Sequence, residues 1–485
     1  MTKSFFERYW IFLYIALYLP LAYLIYGHAR LLDDNYIYLQ YARHFIEHGE
    51  FSFNLGEKSY AFTSPLWQII YIIFFYFIRS EYIAPFLSLS FAVATIFFCY
   101  FTFKSLLKEK LLLLPVIIII SFDPIFIKHI FNGMETTFAS FLTYLILLGA
   151  IITGKIKNEF SLGLVLGLFI LVRPESLILS LLTLVYFLLS GRMKLKGLVK
   201  ITLSTLVVCL PWFLFAYFYF GKILPDTFGA KGGDYPLGAS IFKNIFDVLK
   251  IFGGNYIALF MISLFSINKF TSFYKGDKLK YFLFFMIVVS YVLFYSLVIS
   301  NETIYARYLF IPAHVIILFF ILFINNISIP LSSLKIKYYL AAFLMIITSI
   351  FYSRLDKQLV ENTKVIQNKV ISWVMENTPQ NSYISFGIIG EVGYKTQRRI
   401  FDPQGLLNRD ISHYNISGRI ADYYHLKKPD YLINVPETTV NKLRQYADIE
   451  LKKEFVSDSR SLLRQFISSH SSTDTLRIYK LIWLN

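Results

Sequence analysis

The sequence predicts a polytopic α-helical membrane protein with about eleven spans and a small α/β domain at its C-terminus. Three observations carry this reading. Hydrophobic residues make up 56% of the 485 residues and charged ones only 16%, against roughly 45–50% and 25% in soluble domains. The apolar residues gather in runs near the ~20 residues that cross a hydrocarbon core, without the alternation of barrel strands. After residue 352 these runs give way to mixed sequence, so residues 1–352 read as a membrane domain and 353–485 as a soluble one.

The spans expected are 9–27, 82–103, 111–127, 135–153, 160–172, 175–190, 197–219, 255–273, 280–299, 306–326 and 337–352. MTKSFFERYW opens the chain without a small-residue cleavage site, so 9–27 reads as a retained span rather than a signal peptide. PLWQIIYIIFFYFIR (65–79) is short for a span and reads as a juxtamembrane or re-entrant helix. Counting it as a span would invert the Lys/Arg clusters at 104–110, 155–157, 192–200, 275–280 and 335–337, against the positive-inside rule. That rule also accounts for most of the +16 net charge, so no nucleic-acid partner is implied. The expected setting is the plasma membrane, multi-pass, with a cytoplasmic N-terminus. Loops 28–81, 128–134, 173–174, 220–254 and 300–305 then lie outside, with the C-terminal domain. In that domain a helix is expected over 360–377 and strands at 383–389, 398–402, 430–435 and 476–484, with the glycines of GIIGEVG (387–393) as turns. Cys99 and Cys209 sit in apolar runs and read as packing residues.

On this topology the unusual polar residues share the outer face. Charges at membrane depth are costly, roughly 2.5–3.5 kcal/mol at a span centre, and usually functional. DDNYIYLQYARHF (33–45) sets Asp33 beside Asp34; such a pair can hold a general base or a cation, and it can equally cap a helix. GMET places Glu135 at a helix start, where it can also cap, and Gly133 where a ligand could approach closely. LVRPES buries Arg173 and Glu175 between apolar runs; the arginine suits a phosphate, or the two simply pair. Lys231 in PDTFGAK, and Arg307 and Tyr308 beside Glu302 in NETIYARYLFIP, extend the set, although either cation alone can snorkel to the interface. Tyr36, Tyr60, Phe62 and Trp67 could pack on a sugar or a prenyl chain, or form an interfacial belt. His44 and His48 are four apart, without a third metal ligand in view.

These segments, in order, resemble the GT-C superfamily of integral-membrane glycosyltransferases. The nearest likeness is to the arabinofuranosyltransferase-like bacterial branch, with protein mannosyltransferases and aminoarabinose transferases more distant. The resemblance implies inverting transfer of a sugar from a polyprenyl-phosphate donor to a hydroxyl of a glycan, lipid or protein acceptor. It implies Asp33 as base and Asp34 as a second, orienting acid, which would also be the metal ligands if a divalent cation were used; no other cofactor is implied. Arg173, Lys231 and Arg307 match the basic residues that hold the lipid phosphate. Gln40 stands where many members have arginine, so Arg43 becomes a further candidate. Tyr36, Tyr60, Glu135, Glu175 and Tyr308 would line the substrate pocket. Two readings compete: a lipid-glycan flippase or transporter, which predicts charges along a midplane pathway, and a non-catalytic glycan-assembly subunit.

Overall fold

The protein is seen in a computed structural model that describes residues 2–28, 31–107, 109–233, 236–264, 278–300, 304–326, 330–408, 410–456 and 475–484. It is a polytopic helical membrane protein. Among the described residues seven helices are long and apolar enough to cross a membrane: Tyr9–Tyr26, Ile83–Leu106, Leu195–Phe220, Ile241–Leu264, Lys278–Val298, Ala306–Asn326 and Leu331–Lys357. The remaining expected spans correspond to shorter apolar helices, Lys110–Ser121, Thr136–Ile152, Glu159–Val172 and Ser176–Leu189. Pro65–Phe77 is a separate helix of 13 residues, about 20 Å long at 1.5 Å per residue.

One span differs from expectation. Where 255–273 was expected, the helix runs over Ile241–Leu264, and residues 265–273 lie outside the described residues. Lys243, Asp247 and Lys250 dilute its first turns, so the hydropathy signal begins later than the helix does.

The bundle is held by close backbone approach as well as by side-chain bulk. Helices Glu159–Val172 and Leu195–Phe220 meet through Gly163 and Gly167; a Cβ on Gly163 would lie 1.8 Å from Ser204 Oγ, and one on Gly167 2.7 Å from Val208 Cβ. Thr205 Oγ1 donates to Gly163 O at 3.0 Å and Cys209 Sγ to Gly167 O at 3.5 Å. Small residues four apart commonly let membrane helices pack this way, and Cys209 acts here as a packing residue.

The last membrane helix does not stop at the membrane. Leu331–Asn377 is continuous over 47 residues, about 70 Å at 1.5 Å per residue, and carries the chain into the C-terminal sheet. The helix expected over 360–377 is its far end. The sheet has order β2-β1-β3-β5-β4, with β1 (Tyr383–Ser385), β2 (Arg399–Phe401), β3 (Tyr431–Ile433), β4 (Ala447–Val456) and β5 (Thr475–Trp483). β2, β1 and β3 are parallel, and β3, β5 and β4 antiparallel. Strand alternation sends successive side chains to opposite faces. Phe401, Leu432, Tyr479 and Leu481 build the domain's own core, while Ile384, Ile400, Ile433 and Ile478 join the core of the membrane domain. The GIIGEVG segment corrects the expectation of turns: it enters helix Ile389–Thr396, the crossover between β1 and β2.

First-loop residues close the seam. Asn54 Oδ1 accepts from Ile400 N at 2.9 Å and its Nδ2 donates to Ile400 O at 2.8 Å. One amide side chain thus pairs with strand β2 as a neighbouring strand would, covering the sheet's edge.

Candidate active site

Helix Asp33–His48 carries both aspartates in its first turn, and its N-cap is Leu32, which makes no side-chain cap. Asn35 fixes its start. The Asn35 amide donates to Asn132 O, and Asn35 Oδ1 accepts from Tyr71 Oη at 3.1 Å. Tyr71 and Trp67 also donate to Gly133 O, at 2.8 and 3.1 Å. Gly133 has φ +80°, and a Cβ there would lie 2.8 Å from Asn35 Oδ1. The close approach that GMET permits is therefore made by Asn35, not by a ligand.

Asp33 does not cap its own helix; it caps another. Its Oδ2 accepts from Gly390 N at 3.0 Å and its Oδ1 from Glu391 N at 2.7 Å. These are early N–H groups of helix Ile389–Thr396, which have no partner within their own helix. The helix's own N-cap, Ile388, has no side-chain cap to offer. A Cβ on Gly390 would lie 2.0 Å from Asp33 O, so glycine is what lets the two segments meet. Burial pushes the Asp33 carboxyl up to about 7. The two N–H bonds oppose that rise, and Asp34 and Glu391 add to it.

Asp34 faces the other way. Its Oδ2 pairs with Arg307 Nη2 at 2.8 Å. Burial alone would raise its pKa, but Arg307, with Lys231 and Arg173 behind it, outweighs burial and holds the carboxyl below its usual value. Both aspartates sit deep among protein atoms yet keep accessible surface, as groups lining a recess do.

The network continues from Arg307. Its guanidinium lies 5.5 and 5.6 Å from the ring centres of Tyr305 and Tyr308. Lys231 Nζ donates to Tyr308 Oη at 2.9 Å, and the Tyr308 ring stacks on Tyr295 at 5.3 Å. Tyr295 Oη donates to Glu175 Oε1 at 2.8 Å, and Tyr291 Oη to Glu175 O at 2.9 Å. Arg173 then joins Glu175 at 3.4 Å to Glu135 at 2.9 Å. Glu135 makes no side-chain cap to its helix; its carboxylate is turned to Arg173. Seven of the residues singled out in the sequence thus form one chain of contacts, Asp34–Arg307–Tyr308 with Lys231 at its open end and Glu175–Arg173–Glu135 at its closed end.

Four others lie elsewhere. Arg43 stacks over the Tyr394 ring at 3.7 Å and donates to Tyr394 O at 2.9 Å. Tyr36 packs on the same ring at 5.6 Å. Both belong to the seam with helix Ile389–Thr396. Tyr60 accepts from Trp212 Nε1 at 2.8 Å and stacks on Phe220 at 4.8 Å, while its backbone N–H donates to Asp226 Oδ2 at 3.0 Å. Gln40 contacts His44 Nε2 at 3.1 Å. Glu302 lies outside the described residues. No group of three or more potential metal ligands occurs among the described residues.

Sequence reasoning missed a second buried group, around Asp123. Asp123 Oδ1 accepts from Tyr256 Oη at 2.6 Å and from Ile125 N at 3.2 Å, and Oδ2 lies 3.5 Å from His314 Nδ1. The Asp-Pro pair at 123–124 was its only sequence signal, as a capping aspartate with proline following. An apolar cavity of about 610 Å³ among helices Ile241–Leu264, Lys278–Val298 and Phe310–Asn326 is walled mostly by Phe, Leu, Ile and Val side chains, with Tyr256, Tyr281 and Ser263 among them.

A family model described as a domain of unknown function, DUF8728, matches residues 354–479. No curated protein matches the chain. Among solved structures, ArnT from Cupriavidus metallidurans in the apo state aligns over 98% of this chain and 98% of its own, with TM-score 0.62 and 11% identity. ArnT from the same organism bound to undecaprenyl phosphate aligns over 97% of each chain, with TM-score 0.61 and 10% identity. The chain therefore shares its fold with ArnT over nearly its whole length.

Proposed function

We propose that the protein is a glycosyltransferase that moves a sugar from a polyprenyl-phosphate-linked donor to an acceptor hydroxyl, with inversion, on the outer face of the plasma membrane. The observation that carries this reading is the adjacency of two differently tuned carboxylates, with Asp33 raised by burial and Asp34 paired to Arg307 beside Lys231. The likeness to an ArnT structure that holds undecaprenyl phosphate supports the donor class.

Asp33 accepts the proton of the acceptor hydroxyl as its oxygen attacks the anomeric carbon. The bond from that carbon to the donor phosphate breaks, and polyprenyl phosphate leaves. A base with a pKa near the working pH is effective in this step, and the helix N-terminus keeps the Asp33 carboxylate in one orientation. Charge grows on the leaving phosphate, and cations fixed at that point lower the barrier. Arg307 and Lys231, with the Tyr308 hydroxyl, fill this role at the accessible end of the network. Arg173, held by two carboxylates, fixes the closed end. Asp34 orients Arg307. A flippase would need charges spread along a path near the midplane, whereas these gather at one end of the helices.

The test is transfer from a polyprenyl-phosphate sugar by the purified protein, with the surface glycans, lipids and proteins of a deletion strain scanned by mass spectrometry for a missing sugar. If no donor is consumed with any of those acceptors and no sugar is missing, the reading is wrong.

A further inference from the structure

A second, polar cavity of about 190 Å³ lies at the seam between the first loop and the C-terminal sheet. It is several times the roughly 30 Å³ that one water occupies in the liquid, so it has room for more than a bare ion. Lys58, Lys222 and Lys427 contribute to its lining, with Asn408, Tyr383 and Tyr423. Tyr423 is 2% exposed, and its hydroxyl has no hydrogen-bond partner among the described residues. A buried hydroxyl left without a partner is costly, and Tyr423 is one of the residues that wall the cavity. Lys222 is paired with Asp226 at 2.5 Å. Lys58 and Lys427 make no ion pair among the described residues; each instead lies over a tyrosine ring, Tyr219 at 5.0 Å and Tyr423 at 5.6 Å. Of the wall carboxylates, Glu57 is engaged by Arg399 at 2.9 Å, and Asp402 accepts from Gln404 N at 2.8 Å and Leu407 N at 2.9 Å. The cavity is therefore lined by two lysines without an ion pair among the described residues, and by a tyrosine whose hydroxyl is unused behind its wall.

Its position ties it to the reaction centre. The loop held by Asp402 contributes Leu407 and Asn408 to the cavity. Within the same loop, a Cβ on Gly405 would lie 3.5 Å from Ala230, the neighbour of Lys231. Gln404 reaches Gly387, just before the helix that Asp33 caps, where a Cβ would lie 3.3 Å from Gln404 Nε2. The loop thus packs beside the segment that carries Lys231 and beside the lead-in to the helix that Asp33 caps, while walling the cavity.

We propose that this cavity is an acceptor subsite for a saccharide bearing a negative group, a phosphate or a carboxylate. Lys58 and Lys427 take the anion, and Tyr423 and Asn408 take ring hydroxyls. The word acceptor rests on the function proposed above; the binding chemistry does not.

The experiment is saturation-transfer NMR on the full chain in nanodiscs, with glucose 6-phosphate, glucuronate, glucose and inorganic phosphate as probes. At least one anionic sugar is expected to bind at least tenfold more tightly than glucose and than inorganic phosphate. The double variant Lys58→Ala/Lys427→Ala should weaken that sugar at least tenfold with an unchanged melting temperature. Tyr423→Phe, which removes only the hydroxyl, should weaken it at least threefold. Absence of binding by both anionic sugars, inorganic phosphate binding as tightly as either, or unchanged affinity in the double variant would overturn the proposal. Because the readout needs no turnover, a protein that binds these sugars but transfers none keeps the subsite and loses the transferase reading. A protein that transfers without binding them does the reverse.

Discussion

Of the groups of ionisable side chains set into the helices of this protein, two described above are separated by accessible surface. In the recess the side chains grade from closed to open: Glu135 is 1% exposed, Arg173 6%, Glu175 12%, Arg307 14% and Asp34 35%. In the second group, Asp123 and His314 are both 0% exposed. The two are close: Asp123 faces His314, which follows Arg307 by about two helical turns. Burial of polar groups is therefore no guide to chemistry in this chain. The enclosed cluster ties helices together through Tyr256 and His314; the graded one keeps accessible surface at one end, where the function proposed above puts the donor phosphate.

The strongest break of that contrast is Asp33→Asn. The loss of a general base costs about 10²–10⁴-fold in rate, read as kcat with a saturating polyprenyl-phosphate donor. Its stability should behave otherwise. The folded pKa of about 7 lies above the 3.8 of the free group. Ionisation of Asp33 thus disfavours the fold as pH rises between these values. Asn keeps one of the two accepted N–H bonds and sets its NH2 against the other donor, a loss offset by removal of the ionisation cost, so the melting temperature at pH 8 should change by no more than a few degrees. A parallel fall in rate and melting temperature would reduce Asp33 to a structural cap.

Arg307→Ala comes next. Losing charge-assisted hydrogen bonds worth about 1.5–3 kcal/mol should lower kcat/KM for the donor about 10–100-fold. Asp123→Ala is its control in the closed cluster. It should destabilise by about 1–3 kcal/mol, seen as a lower melting temperature, with donor KM unchanged. A donor KM that rises in Asp123→Ala as it does in Arg307→Ala would merge the two groups into one site.

The finest test is the pH profile. With Asp33 as base, kcat/KM should rise with pH through about 7 and level off above it. Gly390→Ala forces a methyl against Asp33 and weakens the two N–H bonds that favour the carboxylate. The inflection should then move to higher pH, with a several-fold loss of rate. An inflection that stays in place would separate the helix N-terminus from the chemistry.

Much of the recess was legible because its residues are costly where they sit. Arg173 and Glu175 between apolar runs, and acidic or basic residues at successive helix ends on one side, stand out in any hydropathy reading. What the local pattern could not give was partnership across the chain. Asp33 reads as the cap of its own helix, since nothing near it names the helix 357 residues away. GIIGEVG reads as turns because the cap of its helix lies in another domain. Arg43 and Tyr36 look like members of the same acidic loop, but helix periodicity turns them to the Tyr394 seam. The helix Ile241–Leu264 was partly hidden by the charges in its first turns.

The capture of Asp33 by Gly390 and Glu391 also fixes an order of assembly. A ribosome working at roughly 5–20 residues per second reaches Gly390 about 20–70 s after Asp33 has been made. Until then the first loop holds its aspartate without the N–H groups that orient it. A chain cut short before the C-terminal sheet would carry Asp34, Arg307, Lys231 and Arg173 and still leave Asp33 without the two N–H groups that hold it.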